Sequence, residues 1–168
     1  EAVAFNDARV ESGPSTLTLT LSTGTPRSRL YLLAVGIDKY KNPKYDLNYG
    51  RADAEGFAAR VKSGGAGIFE SIEIVTLFDR QATRPAIESA FAAIAAKARP
   101  QDAFIFYYAG HGVMSEGSAD VAAEFFLVPT DVVQLYGKDD ALTRDALSAT
   151  RLRELSVTVP ANKQLFVM

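Results

Sequence analysis

Asp102–Gly112 reads DAFIFYYAGHG, and this stretch decides the fold class. Phe104, Ile105, Phe106, Tyr107 and Tyr108 form a short, nearly continuous apolar and aromatic block. That pattern belongs to a strand buried on both faces, the condition of a sheet covered by helices on either side. Gly110 and Gly112 bracket His111, the only histidine in the chain. The glycines are expected to free the backbone for a sharp turn and to leave the imidazole at the strand's carboxyl end. In open α/β sheets that end is where ligands and chemistry sit. An imidazole, with an unperturbed pKa of about 6.5, suits a general acid or base there. The alternative is a surface histidine on a tight turn.

Outward from this strand, the chain alternates strands and helices. Leu30–Val35 (LYLLAV) reads as a buried strand ending at Gly36, followed by a polar, tyrosine-rich loop through Tyr49. Ala52, Phe57, Ala58 and Val61 recur near helical spacing, and Gly64-Gly65 stops that helix. Ile72–Phe78 (IEIVTLF) is the second strand. Thr83 is a candidate N-cap with Pro85 in the first turn, and the alanine-rich helix Ala86–Ala98 runs to Arg99-Pro100. Beyond His111, Glu124–Val128 reads as a short strand, Thr143–Leu155 as a helix and Gln164–Met168 as the fourth parallel strand. This order predicts an α/β fold, a doubly wound, mainly parallel sheet flanked by helices.

Composition bounds the rest. At 168 residues, 48 % hydrophobic and 23 % charged, the chain is the size and character of one globular domain. The formal net charge of −2 suggests neither nucleic acid nor an anionic membrane surface as partner. The absence of cysteine excludes disulfides, cysteine-ligated metal sites and a thiol nucleophile within this chain. Charges break the apolar runs far short of the roughly 20 residues of a membrane span. These features suggest a soluble chain, with the cytoplasm as the default compartment.

Residues 1–26 differ from the remainder. Thr16–Ser22 (TLTLTLS) alternates at period 2, as in a half-buried antiparallel strand, between Gly13-Pro14 and Gly24-Thr25-Pro26. We expect either the end of an upstream β module or linker, giving a short β segment at the N-terminus, or an extension pairing with the main sheet. Residues 27–168 are then the main domain. The chain opens on Glu1 without an initiator methionine and finishes in the apolar run KQLFVM, so a larger parent polypeptide is the expectation.

Three segments together resemble the caspase-like cysteine peptidases, in the bacterial caspase-homologue and metacaspase/paracaspase branch. They are LLAVGIDKYKNPKYDLNYGRADAEGFAARV (Leu32–Val61), FIFYYAGHG (Phe104–Gly112) and FFLVPTD (Phe125–Asp131), and the likeness runs from about Leu30 to Met168. The resemblance implies that His111 is the histidine of a Cys-His dyad and that the Gly112 N–H is an oxyanion-hole donor. It also places Asp53 where metacaspases carry the aspartate of an Asn-Asp-Ala segment lining the S1 pocket, although the asparagine is absent from Arg51-Ala52-Asp53-Ala54. A carboxylate there would select arginine or lysine at P1 through a charge-assisted bond. Leu47 lies where aspartate-specific caspases carry an arginine, which argues against an acidic P1 residue. The alternative for Asp53 is an acid favouring a helix N-terminus.

In this family the cysteine follows the fourth strand within an Asp-x-Cys segment, and the chain holds none. The first expectation is therefore the histidine-bearing portion of a cysteine endopeptidase cutting after Arg or Lys, inert alone. Its partners would be a peptide or protein substrate and the remainder of the parent polypeptide carrying the cysteine. The second is a catalytically inactive caspase-like module for protein interaction. The third is an unrelated α/β domain. No cofactor is expected; calcium, suggested by Asp131 and Asp139-Asp140, is a minor alternative because their spacing does not clearly fit. Tyr40, Tyr45 and Tyr49 either line a cleft above the strand ends or cap the helix layer.

Overall fold

A computed structural model of the chain describes residues 27–117, 122–135 and 139–168. The expectations for residues 1–26, including the N-terminal β segment, lie outside those residues.

Four parallel strands form the main sheet: β1 (Leu30–Gly36), β2 (Ile72–Phe78), β3 (Ala103–Ala109) and β7 (Lys163–Val167), in the order β2-β1-β3-β7. Strand β1 is central, and all seven of its residues are buried. It pairs with β2 on one side and β3 on the other, with Leu33 beside both Val75 and Phe106. Its LYLLAVG sequence has no polar alternation because neither face meets water. The chain leaves β1 toward β2, then crosses back to β3 and β7. The strand order thus reverses between β1 and β3, and their carboxyl ends flank the crevice where an α/β sheet binds ligands.

Helix α1 (Gly50–Gly64) covers one face, burying Ala54 and Ala58 against Leu32 and Ala34. Helix α2 (Arg84–Ala95) covers the other with Ile87, Ala90, Phe91 and Ile94, the i, i+3, i+4, i+7 stripe of an amphipathic helix. The Thr83 hydroxyl caps α2 by accepting the Ala86 N–H at 3.3 Å. Phe91 meets Phe104 and Phe106 at 5.3 Å between ring centroids. The larger core lies on this face, completed by Leu152 and Leu155 of α4 (Ala149–Thr158).

A small antiparallel sheet follows β3, made of β4 (Gly112–Met114), β5 (Phe125–Leu127) and β6 (Leu147–Ser148), in that order. The single helix expected over Thr143–Leu155 is replaced by α3 (Asp139–Asp145), β6 and α4. Capping explains the break: the Ser148 hydroxyl accepts the Arg151 N–H at 3.1 Å and starts a new helix. Leu147, fully buried, pairs with Leu127 of β5 instead of continuing a helical turn. No helix among the described residues is long and apolar enough to cross a membrane.

Candidate active site

His111 follows β3, between Ala109 and the start of β4, at the carboxyl edge of the sheet. Its backbone is tied on both sides. The His111 N–H donates to the Tyr40 hydroxyl at 2.9 Å, and its carbonyl accepts the Val128 N–H at 3.0 Å. The Tyr108 hydroxyl donates to the Val128 carbonyl at 2.6 Å and lies 3.4 Å from the His111 carbonyl. Burial pushes the Tyr108 hydroxyl well above the ordinary phenol range and raises that of Tyr40, so both stay protonated and brace the turn at neutral pH.

The imidazole is held as firmly as the backbone. Its Nε2 lies 2.8 Å from the Tyr45 carbonyl oxygen. A carbonyl only accepts, so Nε2 carries the proton and the neutral ring presents the Nδ1 lone pair. The rings of Tyr40 and Tyr45 lie 5.1 and 6.2 Å from the imidazole centroid. Tyr40 and Tyr45 therefore position the histidine, through a hydroxyl and a main-chain carbonyl respectively, and Tyr49 lines the adjoining cleft.

The two glycines work differently from the sharp turn expected of them. Positive φ among the described glycines occurs only at Gly67 and Gly117. What Gly110 and Gly112 supply is closeness. A Cβ on Gly110 would lie 2.9 Å from both the Tyr40 and Tyr108 hydroxyls, and one on Gly112 would lie 2.6 Å from the Phe125 ring. The pairing of β4 with β5 also orients Gly112. Because Val128 N–H bonds to His111, the Gly112–Leu127 pair falls on the non-hydrogen-bonded register, and the Gly112 N–H points away from β5. Gly112 is itself an exposed residue.

Asp53 stands in the first turns of α1, exposed, its N–H bonded to the Tyr49 carbonyl at 2.8 Å. It lines a cleft of about 490 Å³ with Leu47, Tyr49, Tyr107, Gly110 and Met168. Among the described residues neither lysine nor arginine lines this cleft. Among the described residues the Asp53 carboxylate has no hydrogen bond or ion pair. Burial, and then the charge of Asp53, raise the Tyr107 hydroxyl, which places the carboxylate within electrostatic reach of β3. The structure thus brings Asp53 and Gly110 to one cleft. His111 itself stands one residue beyond the lining, its ring turned to Tyr45.

Sequence reasoning missed Asp38 and Asp79, which shape the loop facing His111. The Asp38 carboxylate accepts the Gly50 N–H at 2.7 Å, fixing the start of α1. Asp79 accepts the Asp38 and Lys39 N–H groups at 2.8 and 2.9 Å, from a left-handed backbone of φ 48° that aspartate tolerates better than most residues. Their only sequence signal is an acid just past a strand end. Of the residues behind the calcium alternative, the side chains of Asp139 and Asp140 lie outside the described ones; among those described, no group of three or more His, Cys, Asp or Glu side chains is placed to hold a metal.

Comparison with known proteins places this geometry. A family model described as Caspase domain (Peptidase_C14) matches residues 29–161. The crystal structure of protein GSU0716 from Geobacter sulfurreducens is similar in fold, with a TM-score of 0.61 at 22 % identity. That likeness covers 83 % of this chain and 48 % of the other, so the chain spans about half the length of that protein. No curated protein matches the chain. These findings remove the unrelated α/β domain from consideration.

They do not support the endopeptidase expectation. The chain contains no cysteine, so within it His111 has no thiol to deprotonate and no acyl-enzyme can form. Hydrolysis after Arg or Lys, with the thiol-protease and proteolysis roles that accompany it, is corrected accordingly, and the inactive-module reading fits better. The chain belongs to the caspase-domain family and lacks the cysteine on which that family's hydrolysis depends.

Proposed function

We propose that this chain is a catalytically inactive caspase-like module that binds a protein partner through an extended peptide segment bearing a basic side chain. The observation that carries the reading is the Asp53 cleft: among the described residues, an unpaired carboxylate in a cleft lined by no lysine or arginine, with His111 and the exposed Gly112 following directly on the lining residue Gly110. A guanidinium or ammonium entering there meets Asp53 by a charge-assisted bond, with the Tyr49 and Tyr107 rings as walls. The Gly112 N–H offers a donor to the peptide carbonyl, and His111 acts as a polar wall without a nucleophile to activate. Binding without turnover is what a caspase-type site retains when its thiol is absent.

The test is fluorescence anisotropy with labelled, end-blocked tetrapeptides carrying Arg or Asp at one position. The Arg peptide binds more tightly, and Asp53→Asn weakens it by about two- to five-fold, the range for an exposed charge pair. Equal affinity for the two peptides, or an Asp53→Asn variant indistinguishable from wild type, refutes the assignment.

A further inference from the structure

A second cleft, of about 990 Å³, lies across the Lys39–Asp46 loop from the first. Arg51 of α1 and the segment Phe78–Thr83 between β2 and α2 form its walls, and Thr130 and Asp131 close it. The two clefts share only Asp46, and their charge is opposite in kind. Lys39, Lys41, Arg51 and Arg80 all line the second.

Its polar groups divide into those already bonded within the fold and those left over. Asp46 accepts the Tyr40 N–H at 2.9 Å and pairs with Lys39 at 3.0 Å. Asp79 spends one oxygen on the two amides of the loop, and its other oxygen lies 3.7 Å from Arg51, which Glu55 also holds at 2.9 Å. These acids and these two cations are therefore satisfied within the fold. Lys41 and Arg80 form no ion pair among the described residues. Lys41 senses Asp145, outside the cleft and already paired with Arg144 at 2.8 Å. Among the described residues the Gln81 side-chain amide has no hydrogen bond, and Thr83 sets the positive end of α2 at the rim. Set against these donors is one carboxylate, Asp131, whose Oδ1 is buried without a partner.

We propose that this cleft binds an acidic peptide segment, with neighbouring carboxylates held by Lys41 and Arg80. Two unpaired cations beside uncommitted donors match closely spaced carboxylates, and Asp131 tempers the affinity by repulsion. The site is independent of Asp53. A partner that used both clefts would carry a basic residue and an acidic run on one segment, and joining the two would raise affinity through effective concentration.

The test uses the whole chain and a fluorescein-labelled, end-blocked tetraglutamate peptide, read by anisotropy at low and physiological salt. The wild type binds. Lys41→Gln and Arg80→Gln each weaken binding about two- to five-fold and flatten its salt dependence, as expected for exposed pairs. Asp131→Asn strengthens binding, and Asp53→Asn leaves it unchanged. The Arg60→Gln/Lys62→Gln pair, exposed residues of α1 outside the cleft, also leaves it unchanged. Absence of binding by the wild type overturns the proposal. So does loss in the Arg60/Lys62 variant equal to that at Lys41 and Arg80, because the attraction would then be general. Weaker binding on Asp131→Asn, or a change on Asp53→Asn, overturns it as well.

Discussion

Gly36 and Gly56 lie on facing elements, and the same substitution at each moves stability in opposite directions. Gly36 ends β1 beneath the first turn of α1. An added Cβ would lie 2.6 Å from the Gly50 carbonyl oxygen and 2.8 Å from both Arg51 Cα and Ala54 Cβ. Two of these atoms are backbone, so no rotamer change relieves them. To restore ordinary contact the first turn of α1 must retreat by roughly 0.6 to 0.8 Å, in a packed interior that yields little. Overpacking of this kind costs about 2–3 kcal/mol. At this chain length that is a fall in Tm of roughly 5–10 °C. Gly56 is exposed in the middle of α1, and nothing lies within 4 Å of its added Cβ. Gly56→Ala removes a helix-interior glycine at no steric cost and stabilises by about 0.5–1 kcal/mol. Thermal melts followed by circular dichroism, with urea titrations alongside, read both variants. Gly36→Ala should also weaken Arg-peptide binding, because Asp53 moves with α1. An unchanged Tm for Gly36→Ala would refute the seating of α1 on the end of β1. A fall for Gly56→Ala would refute its open surroundings.

Two further predictions concern protons. Glu88 joins α2 to α4 by accepting from Arg151 at 2.9 Å, with Arg84 at 3.3 Å. Chiefly the Arg151 hydrogen bond lowers its pKa from 4.5. The folded state therefore holds this proton less tightly than the unfolded chain. Its stabilisation is complete above about pH 4.5 and disappears as pH falls through the depressed folded value. The stability gap between wild type and Glu88→Gln, measured in urea, should shrink as pH falls through that window; a gap independent of pH contradicts the pairing. His111, as the single histidine, reports its own tautomer in a ¹⁵N correlation spectrum. Neutral ring signals should show the proton on Nε2, and a proton on Nδ1 would contradict the bond to Tyr45.

Much of this architecture was legible because long buried strands leave no choice of pattern. The run at Leu30–Val35 carries no alternation and is buried throughout, and the bounds read for Ile72–Phe78, a half-buried edge strand, are those observed. Thr83 announced α2 by chemistry alone. Strands β4 and β6 gave no comparable signal, since β4 buries only Val113 and β6 has two residues. Leu147 fits either a helix face or a strand, and only its pairing with β5 settles which. At the candidate site, His111 stood out as the only histidine, bracketed by glycines, while Gly112 and Asp53 were singled out only through the family resemblance. The parts played by Tyr40, Tyr45, Asp38 and Asp79 were not legible, because each depends on how an irregular loop folds back over the strand ends. A hydroxyl meeting a main-chain N–H 71 residues away leaves no periodic trace.

A caspase-type cleft that binds a basic peptide and leaves it intact should show both properties in a single titration. A ¹⁵N-labelled sample titrated with an Arg-containing, end-blocked tetrapeptide tests this in one NMR experiment. Saturable shifts concentrated at the Asp53, Tyr107, Gly110 and Gly112 amides, with the peptide's own resonances intact after prolonged incubation, are the predicted result. Shifts distributed elsewhere, no shifts at all, or resonances of a cleaved peptide would contradict it.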